Sequence, residues 1–283
     1  MTVFAPVQEA LYRLHQNAWS AWARRRYKAH FDDIKAFCLF VGYPRSGHSV
    51  VGAVLNAHRD AVIAHELNAP PLILAGCTRE DLYARILARA AWYNLRGNTS
   101  NYVYQVPGQW QGRFAALRVI GDKRGGAVTR CLAANPDFFQ RVRALVGVPL
   151  RLVHVVRNPF DNIGAISIAE ALSLADSIEF YFAHCQTTSR LDAVCAPREL
   201  ITVHHEAMVR APSAVVTDLC RFLDLECYPR YLEDCSRVVF KRPTYTRQLV
   251  GWSAAQIRDV ERRARAFSFL EGYSFENGGA CPA

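Results

Sequence analysis

The stretch "AFCLFVGYPRSGHSVVGAVLNAH", residues 36–58, joins an apolar run to a helix-compatible one through a loop carrying two glycines. A short apolar run bounded by turn residues reads as a buried strand. The helical segment starts straight from the loop, so N–H groups of the loop and of the first helical turn converge on one point. Such a point attracts anions. Gly42 and Gly47 permit the turns and close backbone approach that the loop needs. Ser49 stands where a G-x-x-x-x-G-K-[ST] loop keeps its hydroxyl, but His48 takes the place of the lysine. Arg45, mid-loop, offers a planar grip on phosphate oxygens, and Ser46 and Ser49 add hydroxyl donors.

Working outward, further strand signals fall at 61–64, 116–120, 150–156 and 199–203, beside the first at 37–42. Helix-compatible segments lie between them at 48–58, 79–96, 127–146, 161–192 and 211–224. Alternation of this kind predicts a single α/β domain of phosphate-loop type. Its central sheet is mostly parallel, with helices on both faces. Ligands of such sheets bind at the carboxyl ends of the strands. Four polar clusters are expected on that one edge: the 42–49 loop, "HELN" (65–68), "GDKRGG" (121–126) and "RNPFD" (157–161). The polar, aromatic stretch 97–114 reads as a long loop over the edge, a length common in functional lids.

The 283 residues suffice for one large α/β domain, and half of them are apolar. The net charge of +9 suits a polyanionic ligand, an anionic membrane or nucleic acid. No interleaving of aromatic and basic residues points to nucleic acid. Nine cysteines show no C-x-x-C pair and no zinc-finger spacing, so no metal site is expected, and reduced thiols in a cytoplasmic setting fit best. No apolar run reaches 18 residues, which predicts a soluble chain. Residues 1–36 form a basic N-terminal helical extension. Leu11, Leu14, Trp19 and Trp22 are its apolar contacts, and "RRRYK" lies near its end. Such a helix packs on the domain or makes peripheral contact with a membrane surface. Residues 37–275 form the main domain.

"PRSGHS" (44–49) and "RNPFD" (157–161), in this order, resemble the sulfotransferases that use 3′-phosphoadenosine 5′-phosphosulfate (PAPS). "VHHEAMVRAPSAVVTDLCRFLDLE" (203–226) and "KRPTYTRQLVGW" (241–252) extend the resemblance along most of the chain. It implies PAPS as donor and 3′-phosphoadenosine 5′-phosphate (PAP) as product. The 5′-phosphosulfate would lie on Arg45, Ser46, Gly47, His48 and Ser49, and the 3′-phosphate on Arg157. His48 replaces a family Ser or Thr and would donate to a phosphosulfate oxygen. Ala165 stands where the family has a hydroxyl eight residues past the arginine, leaving Ser167, on a different helix face, as the nearest one. Arg242 and Arg247 would add to the phosphate grip and Trp252 would pack on adenine. A sulfuryl group carries one negative charge, so the resemblance implies no metal.

The resemblance is closest to the bacterial and tyrosylprotein branches, which have a catalytic glutamate at about the place of Glu66. It implies Glu66 as general base, His65 as its reserve and Lys123 acting on the transferring group. The expected activity is sulfuryl transfer from PAPS to a hydroxyl or amine, on an acceptor that is a small molecule. Two alternatives stay open: a phosphate-loop kinase with Asp122 as its magnesium ligand, and a nucleotide-binding relative that does not turn over. Tyr102, Tyr104 and Trp110 are candidates for the acceptor site; Phe240, Tyr245 and Tyr181 are weaker candidates for adenine. His204, His205 and Glu206 read as helix-entry structure away from the mouth of the site. Oligomeric state is not legible.

Overall fold

A run of seven fully buried residues, Ala36–Gly42, forms strand β1 at the centre of the molecule. The computed structural model of the chain describes residues 17–96, 104–239 and 244–276. Five parallel strands lie in the order β2-β3-β1-β4-β5, with β2 Ala61–His65, β3 Val119–Lys123, β4 Leu150–Val156 and β5 Leu200–His204. The α/β expectation holds, and the sheet is wholly parallel. Because the chain leaves β1 in one direction towards β2 and β3, and later in the other towards β4 and β5, the loops after β1 and β4 face each other across a crevice.

Helices cover both faces because β1 alternates its side chains between two apolar layers. Phe37, Leu39 and Val41 pack with α4 (Arg79–Arg96), α5 (Gly125–Ala134) and α6 (Phe138–Val146). Cys38 and Phe40 pack with α2 (His48–Asn56), α11 (Pro212–Phe222) and α12 (Pro229–Val238). A third cluster joins Tyr43 and Val156 to α7 (Pro159–Glu170), α8 (Leu174–Thr188) and α13 (Ala254–Ala264). The N-terminal helix α1 (17–27) and the 3-10 turn Lys28–Asp33 place Ala23 and Phe31 in the same apolar layer as Phe37. Leu11 and Leu14 lie outside the described residues.

Three sequence expectations shift. The helical segment 127–146 is two helices, broken at Asn135, because Pro136 disfavours helical conformation in the residue before it. The segment 161–192 is also broken: α7 ends on Ala171 in a left-handed conformation, and Ser173 caps α8 through Asp176 N at 3.1 Å. Strand β3 starts and ends three residues later than the apolar run 116–120, so Asp122 and Lys123 are strand residues, not loop residues. A carboxylate is tolerated in this central strand because Leu67 and Ala69 each donate a backbone N–H to it, both at 2.9 Å. The long-loop reading also changes for its described part. Gln109 donates to Asp234 Oδ2 at 2.9 Å and accepts from Tyr228 at 3.1 Å, which pins 104–114 onto α12.

Candidate active site

The loop 43–47 turns from β1 into α2 through positive φ at Arg45 (66°) and Gly47 (104°). Helix α2 starts at His48 with no side-chain cap, so the N–H groups of its first turn are open to an anion at the sheet edge. Arg45 is exposed there. The side chains of Ser46 and His48 point the other way. Ser46 Oγ donates to Tyr43 O at 3.1 Å and lies 3.3 Å from His48 Nδ1, while His48 Nε2 donates to Val41 O at 3.0 Å. Burial, reinforced by the Lys123 charge, lowers the His48 pKa to about 4. His48 is thus a neutral ring holding the loop from beneath, and the loop turns its backbone N–H groups, Arg45 and Ser49 to the open sheet edge.

Next to this loop stands an ion pair. His65 is in register with Lys123, so the residue after β2 falls beside the last residue of β3. Glu66 adopts φ 58° and Asn68 φ 66° in the turn that follows. The two N–H bonds to Asp122 hold this turn in place. Lys123 Nζ lies 2.9 Å from Glu66 Oε1 and donates to Ser49 Oγ at 3.1 Å. The Lys123 side chain is 3% exposed and that of Glu66 46%, so the carboxylate alone of the two faces solvent. Burial pushes the Glu66 carboxyl up, but Lys123, His65 and Arg124 together bring it below its ordinary value. Burial lowers Lys123 against the opposing pull of Glu66 and Asp122. His65 stacks on Tyr93 of α4 at 4.1 Å, and Arg89 donates to its carbonyl at 2.8 Å. Burial, then the Lys123 charge, lowers the His65 pKa to about 3.

The second arm grows from β4. Arg157 NH1 donates to Arg45 O at 3.2 Å, which ties the two loops of the crevice together. Its other nitrogen donates to Thr244 O and to Thr246 Oγ1, the latter at 3.4 Å. Asn162 of α7 donates to Pro44 O at 2.7 Å. The segment 244–249 lies on α7 at Gly164, where an added Cβ would stand 3.0 Å from Thr246 O. Arg247, buried, pairs with buried Asp161 through NH1 at 3.1 Å and its backbone N at 3.0 Å. Burial pushes the Asp161 carboxyl up, opposed by this backbone bond and by Arg157 and Arg247.

Several predicted residues sit elsewhere than expected. Arg247 faces Asp161 within the protein, because a buried carboxylate on the first turn of α7 needs a cation. The Ser167 hydroxyl donates to Leu172 O at 2.8 Å, turned to the far end of α7. Trp252 packs edge-on against Phe160 at 5.2 Å, with its Nε1 buried. Tyr181 is fully buried against Tyr43 at 4.7 Å, whereas Tyr245 is 39% exposed, above the Arg247 guanidinium. Trp110 donates its backbone N–H to Ala57 O, and Tyr104 packs against the α2 face of the core. Arg242, Tyr102 and Phe240 lie outside the described residues. Asp122, with both oxygens taken by backbone N–H groups, positions Glu66 and is not disposed to hold magnesium.

His205 and Glu206 are not remote. Glu206 Oε1 accepts from Asn158 N at 2.9 Å, and Oε2 accepts from Tyr273 OH at 2.7 Å, which fixes the turn after Arg157. His205 packs on Gly47: a Cβ there would stand 2.5 Å from His205 Nδ1. Burial, then the Arg157 charge, lowers the His205 pKa to about 3. Asn162, Tyr93 and Arg89 are the site residues that sequence reasoning missed. Asn162 alone had a signal, one residue past the "RNPFD" motif.

A turn with open backbone N–H groups, an arginine and a lysine–glutamate pair thus lie together on the carboxyl edge of a parallel α/β sheet. The chain belongs to the sulfotransferase family, whose model matches residues 39–230. No curated protein matches in sequence. Among solved structures, the sulfotransferase domain from the curacin biosynthetic pathway is similar with TM-score 0.51 at 14% identity, covering 82% of this chain and 97% of that one. A sulfotransferase from Alicyclobacillus acidocaldarius has TM-score 0.48 at 16% identity, covering 83% and 93%. A mouse sulfotransferase complexed with PAP has TM-score 0.45 at 13% identity, covering 84% and 87%.

Proposed function

We propose that this chain transfers a sulfuryl group from PAPS to a hydroxyl or amine of a small-molecule acceptor, with Glu66 as the general base. The observation that carries the reading is the Glu66–Lys123–Ser49 cluster at the N-terminus of α2. It sets a solvent-facing carboxylate 2.9 Å from a buried ammonium that also reaches the loop. The donor set fits an anionic donor: uncapped N–H groups of α2, exposed Arg45, Ser49 and Lys123 at one end, and Arg157 tied to Arg45 O at the other.

In this reading Glu66 takes the acceptor's proton as the acceptor oxygen or nitrogen bonds to sulfur. The electrons of the breaking S–O bond pass to the 5′-phosphate, whose growing charge falls to Lys123, Ser49 and the α2 N-terminus. Lys123 does this by turning from Glu66 towards the donor. That turn also removes the charge that depresses the Glu66 carboxyl and so makes it a better base. Arg157 holds the 3′-phosphate, exchanging the Thr244 carbonyl for phosphate oxygens, and so distinguishes PAPS from ATP. Tyr245, exposed beside this arm, is a better-placed partner for adenine than Tyr181. Cysteines without framework spacing support a reducing, cytoplasmic setting, and no helix among the described residues is long and apolar enough to cross a membrane.

The first experiment is calorimetry of PAP against ATP–magnesium, on the wild type and on Arg157→Ala. The reading expects PAP to bind, ATP–magnesium not to bind, and Arg157→Ala to abolish the difference. Equal binding of both nucleotides, or of ATP alone, would turn the assignment towards a kinase. Absence of any nucleotide binding would overturn the donor.

A further inference from the structure

We propose that the outward face of α1 docks on an anionic phospholipid surface. On this helix Ser20 and Ala23 are buried against the domain, and Tyr27 is half-buried. At 100° per residue, Ala18, Trp22 and Arg25 share the opposite side, and all three are exposed. Trp22 is 53% exposed, among the largest apolar exposures of the described residues. Its ring is held in that place by Tyr27, edge-on at 5.6 Å, and Tyr27 rests in turn on Phe114 at 5.3 Å. A large indole propped towards solvent on an aromatic base is ordered before any partner arrives, so little side-chain entropy remains to be lost on docking.

The charges around it have one sign. Residues 17–35 carry five cations, Arg24, Arg25, Arg26, Lys28 and Lys35, against two carboxylates, Asp32 and Asp33. Asp32 is taken by Arg79 at 2.9 Å, and Asp33 lies 3.9 Å from His30. From the neighbouring helix, Asp81 faces Arg24 at 3.0 Å, while Arg25, Arg26 and Lys28 stay exposed. An indole beside exposed Ala18 and Ala21, with Arg25 and Arg26 exposed next to it, suits the headgroup level of a bilayer. A nucleic acid or glycan chain would instead favour a basic groove with hydrogen-bonding side chains in place of the alanines. The docking face also shares α4 with the acceptor end: from Asp81 under α1 to Tyr93 on His65 is roughly 18 Å along that helix.

The test is co-sedimentation of the full chain with phosphatidylcholine vesicles, with and without phosphatidylserine, over a salt series. Each cation near such a surface contributes roughly fivefold. Binding to the serine-containing vesicles alone, weakening with salt, is expected. Trp22→Ala should lower it several-fold and abolish the vesicle-induced blue shift of tryptophan fluorescence. Arg25→Glu with Arg26→Glu should remove binding, and thermal unfolding of both variants should match the wild type because these side chains are exposed. No vesicle binding, equal binding by Trp22→Ala, or capture by DNA or heparin in place of vesicles overturns the proposal. The assay needs neither donor nor acceptor, so its failure is separate from that of the proposed activity.

Discussion

The two arms of the candidate site are built on opposite plans. At Glu66 the charge is half-exposed, its partner Lys123 is buried, and the pair is held by a turn fastened by Asp122 and by Arg89 on the His65 carbonyl. At Arg157 the guanidinium donates within the protein, to Arg45 O, Thr244 O and Thr246 Oγ1, and the neighbouring Asp161–Arg247 pair is buried on both sides. In the proposed reaction the first arm changes partner, as Lys123 turns from Glu66 to the donor. In the second, the Asp161–Arg247 pair beside Arg157 gives stiffness, because a buried pair that loses one member leaves an uncompensated charge. On the proposed function, mutation of the first region should change catalysis, and mutation of the second should change stability and donor affinity.

The largest effect that would test this division is in turnover. Glu66→Gln should lower kcat by about 10²–10⁴-fold while PAP affinity stays within about twofold, since the proposed base acts on the acceptor's proton. A parallel loss of PAP affinity would mean that Glu66 belongs to the donor grip. Asp161→Asn should cost about 3–5 kcal/mol of folding stability by thermal or urea unfolding, because Arg247 would remain buried and unpaired. An unchanged midpoint would show that the second arm relaxes easily and that the contrast is misdrawn. Arg157→Ala should weaken PAP by about 10–100-fold in calorimetry, the worth of lost charge-assisted hydrogen bonds.

Two smaller effects sharpen the comparison at the loop between the arms. Gly47→Ala should cost about 1–3 kcal/mol, since φ 104° disfavours a side chain and its Cβ would meet His205. Gly47→Ala with His205→Ala should recover the steric part and not the backbone part, read from unfolding midpoints. The smallest concerns pH. The folded pKa of His48 is about 4 against an ordinary 6.5, so the unfolded chain takes this proton first as pH falls. The contribution is intact above about pH 6.5 and is lost progressively down to about pH 4. His48→Gln should flatten the acid limb of the stability curve by at most one proton, about 1.4 kcal/mol per pH unit. An unchanged slope would place the ring in solvent.

Local chemistry made much of this legible. The apolar run 36–41, the glycines at 42 and 47 and the order of "PRSGHS" before "RNPFD" were enough for the parallel α/β sheet and for the family. Breaks inside helices were harder, because Asn135–Pro136 and Ser173 act over one or two residues within longer apolar periodicity. Side-chain direction was not legible at all. Ser46 and His48 have the residue types of a phosphate grip, yet both turn inward, since Tyr43 O and Val41 O beneath the loop need donors.

The sequence by itself determined what depends on neighbours along the chain: the strand that forms, the loop that turns, and the residue types delivered to the sheet edge. Only the tertiary structure decided which charges meet. Lys123 reaches Glu66 because β2 and β3 pair His65 with Lys123, and His205 reaches Gly47 although 157 residues separate them in the chain. Asp122 looked like a metal ligand until the turn after β2 brought two N–H groups to it. Coulomb and hydrogen-bond energies depend on separation through space, and strand register and helix packing set that separation.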